Sequence, residues 1–291
     1  MQKLSTKTWF FVLVLPATFL YAVYVIMPMF VAIYYSLTNF KGLGTADYVG
    51  LRNYSVLLSS KTFRIALLNV GQIALFTIMM LMPISFMIAM LINRGFPGTT
   101  FFKTMYFTPG VISGIVAGLI WTFMFDPNIG VINSILRAVG LGNLAQEWIG
   151  GRYLTPFSVS VVSTWQGVGF QMLLMIAGLK MIPEDIYEAA EVDGASRRQQ
   201  MWLITIPNMK ETFRLSFVMI FSGALKSYEV VKMLTGGGPN HLSETLISLM
   251  YAETFTSHKY GYGMSIAVAQ FIISFAFSLA FLMLTNKKQD A

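Results

Sequence analysis

Ala66–Ile92 reads ALLNVGQIALFTIMMLMPISFMIAMLI, 27 residues without a single charge. As a helix rising 1.5 Å per residue it would be about 40 Å long, more than the roughly 30 Å of hydrocarbon in a bilayer. Working outward, five more apolar runs are long enough to cross: Trp9–Leu37, Met105–Phe125, Phe157–Leu179, Phe213–Leu234 and Gly263–Leu284. The fold class this predicts is an all-α integral membrane protein with six transmembrane helices in a single domain over residues 1–291.

Composition agrees. Residues of the AVILMFWYC set make up 55% of the 291, before the 24 glycines are added. A soluble domain reaches about 45–50% with glycine included. Charged residues are 11% against a soluble norm of about 25%. So few charges cannot cover a water-soluble surface. Trp9–Leu37 does not read as a cleavable leader, because it is too long, holds Pro16 and Pro28 and lacks a small-x-small exit site. Phe213–Leu234 is the weakest span, interrupted by Lys226, Glu229 and Lys232.

The 20 Lys and Arg against 13 Asp and Glu leave a net charge of +7. These cations flank the apolar runs. With the N-terminus inside, eleven fall on the cytoplasmic side: Lys3, Lys7, Arg94, Lys103, Lys180, Arg197, Arg198, Lys210, Arg214, Lys287 and Lys288. Their density there is about twice that of the outer segments, which predicts an N-in, C-in chain. No basic run with interleaved aromatics suggests a nucleic-acid partner. The absence of cysteine excludes disulfides, thiolate metal sites and cysteine nucleophiles.

Enzymatic chemistry has little to stand on. There is no G-x-x-x-x-G-K-[ST] loop to cradle ATP phosphates and no H-E-x-x-H. His241 and His258 fall singly in expected outer loops, so no metal ligands are assigned. Outside the spans, an amphipathic stretch starts near Tyr54, and Val131, Ile132, Ile135, Leu136 and Val139 share one helical face, predicting a short interfacial helix.

The fourth run carries a polar stripe. Ser160, Ser163, Thr164, Gly167 and Gln171 follow helical spacing, with Gln166 and Phe170 one step round. Polar groups in lipid must meet a partner helix or a wet cavity. Interhelical bonding with close packing at Gly167 and Gly169 is one reading; the lining of a solute path, with Phe170 or Trp165 facing a ring, is the other. Both stay open. Lys226, Glu229 and Lys232 in the fifth run either pair and snorkel or join that path. Gly110, Gly114 and Gly118 form overlapping GxxxG units, a face against which another helix packs closely.

After the fourth run comes Ile182-Pro183-Glu184-Asp185-Ile186-Tyr187-Glu188-Ala189-Ala190-Glu191-Val192-Asp193-Gly194-Ala195. Proline and acids open a helix, Gly194 permits a turn, and helix resumes until Pro207. Two short helices about a glycine make a cytoplasmic knob, and its small residues suit docking into another protein.

Glu188-Ala189-Ala190, Gly194 and Ile204-x-Ile206-Pro207 resemble the EAA signature, E-A-A-x(3)-G-x(9)-I-x-L-P, of binding-protein-dependent ABC importer permeases; Ile206 replaces the usual Leu. Asp193 and Ala195 fit the frequent D-G-A form. Further residues point to the maltose-type and glycerol-3-phosphate-type sugar branch. They are Val49-Gly50-Leu51-x-Asn53-Tyr54, Asn69, Asn128-x-Gly130-x-x-Asn133, Leu234-Thr235-Gly236-Gly237-Gly238-Pro239 with Glu244-Thr245, and Gly261-Tyr262-Gly263. The resemblance covers residues from about 9 to 285.

The resemblance implies a type I ABC importer permease in a bacterial cell membrane. It would be one half of a heterodimer with a second permease, above two ATPase subunits, receiving a carbohydrate from an external solute-binding protein. ATP and Mg would belong to the ATPase, with no cofactor in this chain. The loop over residues 182–207 would be the coupling element, through Tyr187, Glu188, Ala189, Ala190, Asp193, Gly194 and Ala195. Solute contacts would fall near Ser163, Gln166, Gly167 and Phe170, and near Ile220, Gly223 and Ala224, where the family's asparagine is missing. Gln171 and Lys226 join that path on the stripe and charge readings above. The runner-up is a self-contained secondary transporter. Such a chain commonly needs a carboxylate near the midplane, and only Glu229, near one end of its span, approaches that.

Overall fold

A computed structural model describes residues 6–286 except Pro239. Lys3, Lys287 and Lys288 of the charge count, and Pro239 of the glycine-rich motif, lie outside the described residues. Contacts divide the chain into two compact units, residues 1–63 with 249–291, and residues 64–248.

In the first unit, α1 (Thr6–Tyr21) and α2 (Met27–Ser36) join through a π-helical turn at Ala22–Ile26. A short amphipathic helix, α3 (Arg52–Ser59), follows, and α15 (Tyr260–Asn286) packs on α2 and α3. Asn53 fixes the start of α3: its Nδ2 donates to the carbonyls of Ser36 and Thr38, both at 2.8 Å. Tyr54 Oη lies 2.7 Å from Ser36 Oγ.

The second unit begins within the 33-residue α4 (Lys61–Asn93). Then come α5 (Thr99–Val111), α6 (Gly114–Met124), α7 (Val131–Ala138) and the long α8 (Leu154–Lys180). Next are α9 (Glu184–Val192), α10 (Arg197–Gln200), a π turn at Met201–Thr205, and α11 (Ile206–Asn208). The unit continues through α12 (Lys210–Leu225) and α13 (Glu229–Leu234) into α14 (Leu246–Tyr251). A π turn at Ala252–Thr256 follows in the first unit.

The unit's apolar core gathers Ile73, Ala74, Ala117, Phe125, Val159, Val162 and Val231 from α4, α6, α8 and α13. A second cluster joins Phe86, Ala89 and Ile92 of α4 to Met172, Met175 and Ile176 of α8 and to Met209.

Among the described residues, four helices are long and apolar enough to cross a membrane: Phe10–Ser36, Lys61–Asn93, Leu154–Lys180 and Tyr260–Phe281. Two expected spans depart from a straight rod. Met105–Phe125 is broken between α5 and α6, which meet at a 98° bend. Its local cause is two consecutive extended residues, Ile112 (ψ 132) and Ser113 (ψ 148), with Ser113 capping the new helix. Phe213–Leu234 likewise stops at Leu225 and restarts at Glu229. The intervening Lys226-Ser227-Tyr228 is its most polar stretch, and the Ser227 carbonyl accepts from Thr245 Oγ1 at 2.9 Å.

The three glycines of the third run meet this chain's own helices. A Cβ on Gly114 would lie 2.5 Å from Glu229 Oε2, and one on Gly118 would lie 2.6 Å from Met233 Cβ. Only hydrogen at these positions lets α6 lie directly on α13. The short helix expected over these residues is present as α7, and Asn133 anchors it by donating to the Pro127 and Gln146 carbonyls and accepting from Trp148 Nε1 at 2.8 Å.

Candidate functional site: a polar-lined cavity and an exposed helical knob

A cavity of about 520 Å³ lies in the second unit, between α4, the α5–α6 break, α8, α12 and the start of α13. All nine residues assigned to the solute path from sequence border it: Ser163, Gln166, Gly167, Phe170, Gln171, Ile220, Gly223, Ala224 and Lys226. Their side chains differ in what remains for a solute. Phe170 is 51% exposed, although it belongs to the most deeply packed helix of the unit. Gln166 is half-buried, and its Nε2 donates to the Ile112 carbonyl at 2.9 Å. Gln171 is committed elsewhere: its buried Oε1 accepts from Ser216 Oγ at 2.8 Å, tying α8 to α12. Ser160 bonds the Ile73 carbonyl of α4 at 3.2 Å. The polar stripe therefore divides. Ser160 and Gln171 hold helices together, while Gln166 and Phe170 face the cavity.

Sequence reasoning had not assigned several other wall residues to the path. Thr77 contributes a buried hydroxyl with no hydrogen-bond partner. Ser227 and Tyr228 border the same space because the helix breaks there, and so does Glu229, for which the sequence left pairing and the path both open. Glu229 forms no ion pair with Lys226 or Lys232 among the described residues. The expected i,i+3 pairing is replaced by exposure of Lys226 and Glu229 at the cavity, with Glu229 against Gly114. A signal for the other break, between α5 and α6, stood in the sequence: Ser113-Gly114 is a helix-start pattern inside an apolar run.

Beside the cavity lies a polar junction that gathers the glycine-rich motif. Asn69 Nδ2 donates to the carbonyls of His241 at 2.9 Å and Glu244 at 3.0 Å. The buried Glu244 carboxylate accepts from Ser248 Oγ and faces His241 Nδ1 at 3.1 Å. Thr235 Oγ1 accepts from the Gly237 N–H and lies 2.5 Å from Ser243 Oγ. These residues fold the loop back on itself and support the α12–α13 break through Thr245 and Ser227.

The knob after α8 is built as its residues dictate. Helix α9 starts after Pro183, with Glu184 and Asp185 in its first turn, where carboxylates meet the positive end of the dipole. It ends in a Schellman turn, in which Ala195 N–H donates to the Ala190 carbonyl at 2.9 Å and Gly194 N–H to the Glu191 carbonyl at 3.0 Å. Gly194 takes φ 76 there, the left-handed geometry that glycine adopts without steric cost. Ser196 and Gln199 then form a capping box that starts α10. Tyr187 and Ala190 are half-buried, as is Ala195; Glu188, Ala189, Asp193 and Gly194 are exposed. Apolar side chains stand out beside them, with Val192 88% and Leu203 73% exposed.

Residues 73–286 match the family described as "Binding-protein-dependent transport system inner membrane component". The chain is 34% identical over 262 residues to the probable ABC transporter permease protein YurN of Bacillus subtilis, covering 89% of this chain and 90% of that one. It is 31% identical over 287 residues to the multiple sugar-binding transport system permease protein MsmF of Streptococcus mutans, covering 98% of each. Its fold is similar to a chain of a bacterial alginate ABC transporter solved with an alginate pentasaccharide-bound periplasmic protein. That likeness has a TM-score of 0.81 at 20% identity and covers 96% of this chain and 94% of that one. The extended family match, the two close relatives and the shared all-helical fold have one meaning: the chain is a multi-pass membrane protein and belongs to the family of inner membrane components of binding-protein-dependent transport systems.

Proposed function

We propose that this chain is one of two permease subunits of an ATP-driven importer. With the second permease it would form the pathway for an oligosaccharide or related carbohydrate, handed over by an external solute-binding protein. Six spans would cross the bacterial cell membrane, with the bent α5–α6 pair as the third and the broken α12–α13 pair completing the fifth, and both termini cytoplasmic. Two ATPase subunits would bind ATP and Mg, and the loop over residues 182–207 would dock on one of them, with Glu188 to Ala195 entering its cleft.

The observation that carries this reading is the cavity, bordered at once by an exposed aromatic face (Phe170), a half-buried amide (Gln166) and the exposed side chains of Lys226 and Glu229. An apolar wall with a few placed polar groups is the usual character of a small-molecule site. A ring with hydroxyls offers one partner to each. Relatives named for sugar transport support the carbohydrate assignment.

The test is uptake of a radiolabelled pool of di- and trisaccharides into proteoliposomes that contain the assembled complex. Uptake should require ATP, the ATPase and the binding protein, and should stop when any one is omitted. Uptake by this chain alone under an ion gradient would instead establish a secondary transporter.

A further inference from the structure

The α5–α6 break and the cavity share one side chain. Had α5 run on into α6 as a regular helix, Val116 N–H would bond the Ile112 carbonyl four residues back. Ser113 prevents this. With φ −60 and ψ 148 it stands outside the helix, its Oγ accepts from Val116 N–H at 3.3 Å, and its own carbonyl accepts from Ala117 N–H at 2.9 Å. The Ile112 carbonyl is thereby released from the helix, and Gln166 Nε2 on α8 donates to it at 2.9 Å. The backbones meet at the same level, since a Cβ on Gly110 would lie 3.1 Å from the Gln166 carbonyl oxygen. A glutamine amide has two N–H groups and one acceptor oxygen. One N–H is spent on Ile112; the other N–H and Oε1 remain in a side chain that borders the cavity.

We propose that Ser113 is a positioning residue for the transported solute: by capping α6 it frees the Ile112 carbonyl, and that carbonyl holds the Gln166 amide in the orientation that meets the solute. The proposal rests on the reading of the cavity as the sugar path. Ser113 is not itself among the cavity's lining residues, so its effect on transport is indirect, and coupling to Gln166 separates this route from one through its neighbour Gly114. Removing the hydroxyl returns Val116 N–H to competition for the Ile112 carbonyl and lets the amide rotate.

A double-mutant cycle tests this in the assembled complex, with uptake of the radiolabelled di- and trisaccharide pool at saturating loaded binding protein as the readout. Ser113→Ala should lower uptake about 5-fold, the equilibrium equivalent of a typical N-cap loss, with unchanged co-purification of the partner subunits. Ser113→Asn, which restores a cap acceptor, should transport as the unsubstituted chain does. Gln166→Ala should lower uptake at least as far, and adding Ser113→Ala to it should lower uptake no further. Multiplying losses in the double variant overturn the proposal, as does a Ser113→Asn variant as poor as Ser113→Ala. So does a loss of assembled complex that matches the lost uptake, because the cap would then serve folding. Normal uptake in Gln166→Ala removes Gln166 from the path, and no uptake of any sugar by the unsubstituted complex removes the sugar reading itself; either result overturns the proposal at its premise.

Discussion

Tyr187 Oη and Thr205 Oγ1 lie 2.9 Å apart, joining the first helix of the knob to the π turn of its second arm. The bond closes a loop of 18 residues, and Tyr187 also packs against the cluster that joins α4 to α8. The knob is thus tied to the membrane helices through this half-buried ring together with Ile204 and Ile206 of its second arm. Tyr187→Phe keeps the ring and removes the bond, a change of about 0.5–1.5 kcal/mol. The expected outcome is an assembled complex with a slightly lowered melting temperature and reduced ATPase stimulation by loaded binding protein.

Gly194 separates strain from docking. A side chain there meets no atom of this chain within 4 Å, yet φ 76 disfavours an ordinary residue. Asparagine tolerates that geometry and leucine does not. Gly194→Asn should retain the fold of the knob and lose coupling only as far as the ATPase wall lies close. Gly194→Leu adds about 1–2 kcal/mol of backbone strain and a bulky group at the proposed interface. Co-purification of the ATPase should rank glycine, asparagine, leucine in descending order; equal recovery of all three with full stimulated ATPase activity would remove this turn from the coupling surface.

Gln171 and Gln166 stand on one helix with opposite duties. Gln171→Leu leaves Ser216 Oγ unpaired in a buried site, which costs about 1–3 kcal/mol, so thermal stability in detergent should fall. Phe170→Ala should leave stability nearly unchanged and impair uptake; Gln166→Ala, which leaves the part-buried Ile112 carbonyl without this donor, should impair uptake at a smaller cost in stability than Gln171→Leu. A reversal, with Gln171→Leu stable but inactive, would move the solute contact one turn along α8.

Asn69 is a single residue bracing two carbonyls of the glycine-rich loop. Asn69→Leu removes both bonds; the His241 carbonyl keeps the Glu244 N–H at 3.2 Å, while the Glu244 carbonyl loses its side-chain donor, a change of about 1–3 kcal/mol. Hydrogen exchange should rise in residues 235–248 first, and the cavity wall at Ser227 should follow because Thr245 holds it. Unchanged exchange across that loop would show that the brace is dispensable.

Much of this was legible in the sequence because the signals are periodic or local. The charge-free run at Ala66–Ile92, the helical spacing of Ser163, Gln166, Phe170 and Gln171, and the proline, acids and glycine between residues 183 and 194 each carry their own geometry. What stayed hidden depends on partners distant in sequence. The division of the α8 stripe needed Ile112 and Ser216 to be seen beside it. The Glu229 position needed Gly114, whose missing Cβ makes room for it. The fifth run breaks at its most polar stretch, Lys226-Ser227-Tyr228, whereas the third breaks where hydropathy never falters, and only the capping pattern of Ser113 betrays it.

The most direct measurement of the solute path uses the absence of native cysteine. Gly223 borders the cavity, and a side chain there meets nothing within 4 Å. In the assembled complex a Gly223→Cys variant should react with a small polar thiol reagent, and a transported sugar delivered by its binding protein should slow that reaction. Ala89→Cys, in the fully buried core, should stay unreactive throughout. Fast labelling of Gly223→Cys that transported sugar leaves unchanged, in a complex that still takes up sugar, would place the path elsewhere and contradict the cavity's proposed role.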